Sequence, residues 1–164
     1  FLITNHIQGD DKSSIKLGLY YTDILVAVMT FGKPRFNKNY QYELIRYATL
    51  NGYRVIGGAG KLLKYFERTY KPQSIITYAD RRYSQGNMYL KLNFKFSEFS
   101  KPNYYWVKDN YCLTRYQCQK SKLKNILNSD FNDELSEQDN MKINGWNRIY
   151  DCGNMIFVKQ YLNN

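Results

Sequence analysis

Arg54-Val55-Ile56-Gly57-Gly58-Ala59-Gly60-Lys61-Leu62-Leu63-Lys64-Tyr65-Phe66 is the stretch that decides how this chain folds. Ala59, Leu62, Leu63 and Phe66 stand at i, i+3, i+4 and i+7, which is one face of a helix. The glycines ahead of that face predict a glycine-rich loop that opens an amphipathic helix over 61–70. Lys71-Pro72 ends it, because a residue before proline is pushed out of the helical region. Glycines let backbone N–H groups approach an anion closely, and a helix start adds partial positive charge. The loop is therefore a candidate phosphate or pyrophosphate cradle. The same spacing also suits a loop that merely packs closely against a sheet.

Upstream, 16–21 and 25–31 are apolar, β-branched or aromatic runs, with Thr22-Asp23-Ile24 between them as a hairpin turn. Residues 1–6 read as a short helical end or an arm. Gly32 to Asn39 is a basic loop, 42–49 a third strand, and Asn51-Gly52 a turn. Downstream, 74–78 is a short buried strand, 86–92 a short helix, and 94–99 and 104–107 are strands. The turn Lys108-Asp109-Asn110 follows. A basic helix is expected over 114–127 and a second helix over 135–144, which starts with acidic residues as the helix dipole prefers. A closing hairpin is expected around Gly153-Asn154. Strands and helices in this order predict an α/β domain, a mixed β-sheet flanked by helices. Its core is expected over 1–110, with a small helix-helix-hairpin C-terminal extension over 111–164.

Composition narrows the function classes. The 164 residues include 43% apolar residues, 17 Tyr, 9 Phe and 2 Trp, too many for a disordered tail. No apolar run approaches the ~18 residues of a membrane span, and no 20–50-residue repeat is present. Three cysteines without a CxxC, and His6 as the one histidine, cannot build a structural zinc site. The thiols read as reduced, in an intracellular protein. The chain opens on Phe1 without Met and shows no cleavable signal pattern, so it reads as a piece of a longer protein. Lys and Arg number 24 against 14 Asp and Glu, a net charge of +10. The excess is concentrated in residues 31–124, which hold 19 basic and 5 acidic side chains. Aromatics interleave those charges, a pattern suited to phosphate binding and base stacking. A solvated Lys-rich surface has the same composition. Lys33, Arg35 and Lys38, in a loop with Pro34 and Phe36, are the first candidates for the phosphate backbone. Arg81, Arg82 and Lys101 are the next.

Arg54-x-x-Gly57-x-Ala59 after a third strand, followed by Met88-Tyr89-Leu90-Lys91-Leu92-Asn93-Phe94, resembles the GNAT acyltransferases. Their loop has the pattern Gln/Arg-x-x-Gly-x-Gly/Ala, and a later Leu-Tyr-x-Lys-Leu-Gly-Phe segment follows it. Here Asn93 replaces that segment's glycine. The resemblance implies a GNAT-like mixed sheet. It implies acetyl-CoA or another acyl-CoA held by Arg54, Gly57, Gly58, Ala59 and Gly60, with Tyr89 as general acid.

A resemblance to the C-terminal region of Hef-like phage homing endonucleases covers nearly the whole chain. It rests on Asn5-His6-Ile7-Gln8-Gly9, Met29-Thr30-Phe31-Gly32-Lys33-Pro34-Arg35, Glu43-Leu44-Ile45-Arg46, Ser74-Ile75-Ile76-Thr77-Tyr78-Ala79-Asp80-Arg81-Arg82, Gly86-Asn87-Met88-Tyr89, Lys101-Pro102-Asn103-Tyr104 and Asp151-Cys152-Gly153-Asn154. It implies engagement of double-stranded DNA in the cytoplasm of an infected bacterial cell, with the nuclease residues upstream. The core also resembles the Mom family of phage DNA-modification proteins, which add a group to adenine in DNA. That resemblance places Arg46, Asp80 and Tyr89 around one catalytic cleft. It departs in the glycine loop and in the Lys33–Lys38 stretch.

Cutting chemistry has little support within these residues, because the acids are scattered and one histidine cannot build a two-His site. Asp80 ends an apolar strand, where α/β folds place ligands, and it equally suits a structural pair with Arg46 or Arg81. Three function classes stay open: a DNA-engaging domain, an acyltransferase or base-modifying enzyme, and an RNA- or protein-binding module.

Overall fold

Thr22 (φ 44) and Asp23 (φ 63) both sit in the left-handed region. That is the pair of conformations a two-residue hairpin turn requires, and it joins β1 (Ile15–Tyr21) to β2 (Ile24–Gly32). The computed structural model describes residues 1–161. Contacts divide them into two units. The first is built from Phe1–Ala79, Tyr83–Phe99 and the chain from Met155, the second from Asp80–Arg82 and Ser100–Asn154.

The first unit carries a six-stranded mixed sheet and three helices. After the short helix α1 (Leu2–Asn5) come β1, β2, β3 (Tyr42–Thr49), α2 (Gly58–Tyr70), β4 (Ser74–Asp80), α3 (Asn87–Lys91) and β5 (Lys95–Phe99). The strand from Asn154 to Gln160, β9 in chain order, closes the sheet, whose order is β1-β2-β3-β4-β9-β5. β1, β2 and β3 are antiparallel neighbours, whereas β3 and β4 run parallel. Alternation along β2 sends Ala27, Met29 and Phe31 into the core beneath α2. Val28, on the other face, joins Leu2 and Ala48. Leu62, Leu63 and Phe66 are the buried stripe of α2, and Phe66 stacks on Phe31 with ring centroids 3.6 Å apart. Burying a side chain of this size contributes about 2–3 kcal/mol.

The helix starts at Gly58 rather than at position 61, so the glycines form its first turn. Gly57 is the left-handed N-cap (φ 73), and Lys71, also left-handed (φ 44), closes the helix before Pro72. β4 is present where the sequence places a strand and runs two residues further.

The second unit has its own core of Trp106, Cys118, Leu123, Leu127, Met141 and Trp146. Its three-stranded sheet, of order β7-β6-β8, contains β6 (Tyr104–Lys108), β7 (Tyr111–Thr114) and β8 (Asn147–Tyr150). Helices α4 (Lys120–Leu127) and α5 (Glu137–Ile143) complete it. Ser136 caps α5 by accepting the Asp139 N–H at 3.1 Å. Glu137 accepts hydrogen bonds from the Tyr104 hydroxyl (2.9 Å) and from Trp106 Nε1 (3.1 Å).

Three expectations are corrected here. The division does not fall after residue 110: residues 100–154 are an excursion, after which the chain returns to the first sheet as β9. The expected closing hairpin does not form, because β8 pairs with β6 while β9 pairs with β5. Gly153-Asn154 looks like a local turn, but strand pairing is a long-range choice that local turn residues do not decide. The basic helix begins at Lys120, since Tyr111–Thr114 pair with β6 instead. The final positions of the expected extension, 162–164, lie outside the described residues.

Candidate functional site

The expected coenzyme site rests on the glycine loop. Gly58 is buried, and a Cβ there would stand 2.7 Å from Val55 Cγ1 and 3.0 Å from the Tyr47 hydroxyl. The Gly58 N–H donates to the Val55 carbonyl at 3.3 Å. One of the donors at the start of α2 is thus spent inside the protein, and glycine at 58 is explained by close approach to Val55 and Tyr47. Arg54 and Gly57 are exposed, and Ala59 and Gly60 are half-buried. These four remain open to a ligand on the solvent side.

The second region lies where β3 and β4 part. Their parallel register runs through Tyr42↔Ile75, Glu43↔Ile76 and Leu44↔Thr77. Arg46 stands two residues beyond the last of those pairs, opposite Thr30 of β2. Its guanidinium is half-buried, donates from Nη1 to the Ile45 carbonyl at 3.0 Å, and has a buried Nε without a partner. Burial, and then repulsion from Arg35, pull its pKa down, while Asp11, Glu43 and Tyr89 pull it back up. Tyr89 feels the same field in return. Burial pushes its pKa up, and a hydrogen bond with Thr77 and the nearby Arg46 oppose that. The structure therefore brings Arg46 and Tyr89 into one environment, and adds two groups that the sequence did not single out as site residues, Asp11 and Thr30. Asp11 accepts from Thr30 Oγ1 at 2.6 Å and from the Ser13 N–H at 2.7 Å. Burial raises its pKa, but these bonds and Arg46 outweigh that and hold the carboxyl below its ordinary range. His6 accepts the Gln8 N–H on Nδ1 at 3.1 Å. Burial and then Arg46 lower its pKa, so the imidazole is held neutral.

Asp80 belongs to the second unit and is gripped by Arg82, with Nη2–Oδ2 at 2.7 Å and Nε–Oδ1 at 3.1 Å. The Arg82 N–H adds a bond to Asp80 Oδ1 at 3.0 Å. Arg82 is held above its usual range first by this hydrogen bonding. Arg81 donates from Nη1 to the Cys152 carbonyl at 2.9 Å. Lys101 is exposed.

The basic loop after β2 is also partly committed. Glu43 is fully buried and accepts the Arg35 backbone N–H at 2.7 Å and Arg35 Nε at 2.9 Å. Lys38 Nζ donates to the Pro34 carbonyl. Lys33 is exposed. Arg35 and Lys38 thus shape the loop as well as charge it.

The residues that the sequence reading missed lie along the edge strand β1 and one flank of α2. A cleft of about 710 Å³ runs between β1 and one flank of α2. Leu17, Leu19 and Leu62 give it apolar walls, and Lys16, Lys61, Lys64, Tyr65 and Arg68 surround it. Gly18 completes the lining, in which no acidic side chain takes part. The one carboxylate of α2, Glu67, is turned to other partners, accepting from Lys159 Nζ at 2.7 Å and from the Tyr161 hydroxyl at 2.5 Å. Burial, and then the Glu67 carboxylate, push the Tyr161 pKa up. The signal for this cleft was present in the sequence, since Lys61, Lys64 and Arg68 recur at i, i+3 and i+7. The apolar stripe of the same helix drew the reading to its other flank.

Among the described residues, no group of three or more His, Cys, Asp or Glu is placed to share a metal ion, and no helix is long and apolar enough to cross a membrane. The three cysteines are unpaired; burial pushes the Cys118 thiol up to about 11, while Cys112 and Cys152 are exposed. No family model matches the chain, and no curated protein matches it either.

Proposed function

We propose that the first unit engages nucleic acid, DNA first, through the cleft between β1 and α2. This is the role implied by the resemblance to the DNA-engaging region of Hef-like phage homing endonucleases. The observation that carries the proposal is the lining itself, with four cations, a half-exposed tyrosine and no carboxylate around one recess. Phosphate contacts of this kind release counterions and make affinity fall with salt. Four neutralised phosphates correspond to a log–log salt slope of about −3 to −4. The test is binding of a labelled duplex and a labelled single strand across a salt series. A slope near zero, or no binding at low salt, would remove the proposal.

A second reading, an acyl-CoA-dependent acyltransferase or DNA base-modifying enzyme of GNAT-like fold, has its own support. β3 leads into the glycine loop and α2 in the order that the resemblance calls for, and Arg46 and Tyr89 share one electrostatic environment. Against it stand the Gly58 N–H, already used by the Val55 carbonyl, and the close approach of Gly58 to Val55 and Tyr47. Calorimetric titration with acetyl-CoA separates the readings, since heat that disappears in an Arg54→Ala variant would favour the enzyme.

A further inference from the structure

The cleft has a shape that an exposed basic surface lacks. The cations of its lining, Lys16, Lys61, Lys64 and Arg68, are exposed, while Leu17 and Leu19 are half-buried and Leu62 is buried. A duplex backbone presents phosphates on a convex surface and needs only a cationic face to meet them. A recess with apolar walls suits a group that is itself apolar on its faces, and a nucleobase is such a group. Tyr65 is 49% exposed, and the Arg68 guanidinium lies 5.8 Å from its ring centroid. A tyrosine flanked by arginine is the arrangement on which unpaired bases stack, with the cation adding to the ring's attraction. From Lys61 to Arg68 the flank extends about 10 Å along the helix axis. It offers charge on both sides of Tyr65, where the phosphates before and after a stacked base would run. β1 is the terminal strand of the sheet, so the outer edge of its backbone meets no further strand of that sheet.

We propose that this cleft takes an unpaired nucleotide segment, a base stacking on Tyr65 within the recess and its flanking phosphates on Lys61, Lys64 and Arg68. The inference rests on the nucleic-acid reading given above and narrows it to single-stranded or locally opened substrate.

The experiment uses the whole chain and fluorescence anisotropy with a labelled oligothymidine, a labelled mixed-sequence duplex of equal length, and thymidine monophosphate and polyglutamate as competitors. Single strand should bind at least about fivefold more tightly than duplex at the same salt. Tyr65→Ala should weaken single-strand binding by about tenfold, the scale of losing one stacked base, and Tyr65→Phe should keep it within about twofold. A melting curve on each variant confirms that the fold is retained. Equal or tighter duplex binding, or an unaffected Tyr65→Ala variant, would overturn the single-strand inference. So would displacement by the monophosphate or by polyglutamate at concentrations comparable with the oligomer. Lys61→Glu/Lys64→Glu separates the two levels. If it weakens single strand and duplex equally while Tyr65→Ala changes nothing, the interface stands and its single-strand assignment falls. If it weakens neither, the nucleic-acid reading of the cleft falls with it.

Discussion

Arg35 and Lys64 carry the same charge in the same unit, yet they stand in opposite situations. Arg35 closes on a carboxylate that is wholly out of water, donating to Glu43 from both its side chain and its backbone. Lys64 stands at the rim of a recess whose lining holds three further cations and no acid. Arg82 resembles Arg35, being held by Asp80. The difference teaches where a basic sequence keeps its usable charge. A cation with a buried partner fixes local structure, and its field is largely cancelled at a distance. A cation among other cations and apolar walls raises the local potential and leaves it for a ligand. The committed region should therefore respond to substitution through stability, and the rim through binding.

The largest effect is expected in the packed region at Gly86, the left-handed residue (φ 77) that starts α3. A Cβ there would stand 2.3 Å from Phe157 Cζ, within the core ring that stacks on Tyr89. Gly86→Ala combines overpacking with backbone strain and should cost about 3 kcal/mol or more in a denaturant titration. A cost under about 1 kcal/mol would show that the Phe157 side is looser than described. Arg35→Ala comes next. It takes the guanidinium from the buried Glu43 carboxylate, leaving it the residue-35 backbone N–H, and should cost about 3 kcal/mol, measured the same way. Arg35 is half-exposed, so charge loss at its own surface contributes little, and the cost belongs to Glu43. If Arg35→Ala is neutral for stability but weakens DNA binding, the contrast between Arg35 and Lys64 is broken.

A smaller effect is expected with pH. The pKa of His6 is lowered from 6.5 in the folded chain, so the unfolded chain binds the proton more readily. Stability is then full above about pH 6.5 and falls as pH drops from there through the lowered folded value. His6→Gln should flatten that part of the stability curve. Asp11, lowered from 3.8, contributes stability that is lost only as pH falls below about 3.8, which keeps the two windows apart. An unchanged slope in His6→Gln would mean that burial and Arg46 do not act on the imidazole as described. The smallest effect belongs to the rim. Lys61→Ala and Lys64→Ala should each shift stability by no more than about 0.5 kcal/mol, since surface substitutions away from partners rarely do more.

Much of the fold was legible in local pattern. The spacing of Leu62, Leu63 and Phe66 marked α2, apolar, β-branched or aromatic runs marked β1 and β2, loose alternation marked β3, and the SIITY run marked β4. Long-range pairing was not legible. β9 reaches the interior of the first sheet, and β7 pairs with β6, although Tyr111–Thr114 runs on into the basic stretch before Leu127. The candidate site divides the same way. Arg46 and Tyr89 are found in one environment, but Asp11 and Thr30 join them only because the chain before β1 folds back over β2, which no local signal announces. The cleft was half visible, since the period of Lys61, Lys64 and Arg68 is in the sequence while the position of Lys16 beside them depends on how α2 packs on β1.

The contrast between committed and open charge comes to one measurement. Two charge reversals of equal size are compared at fixed low salt for binding of the same labelled oligonucleotide. One is Lys61→Glu/Lys64→Glu at the cleft, and the other is Lys33→Glu/Lys38→Glu in the loop that the sequence alone favours. The account predicts at least about a tenfold loss of affinity for the cleft pair and a clearly smaller loss for the loop pair. Equal losses, or a larger loss from the loop pair, would contradict it.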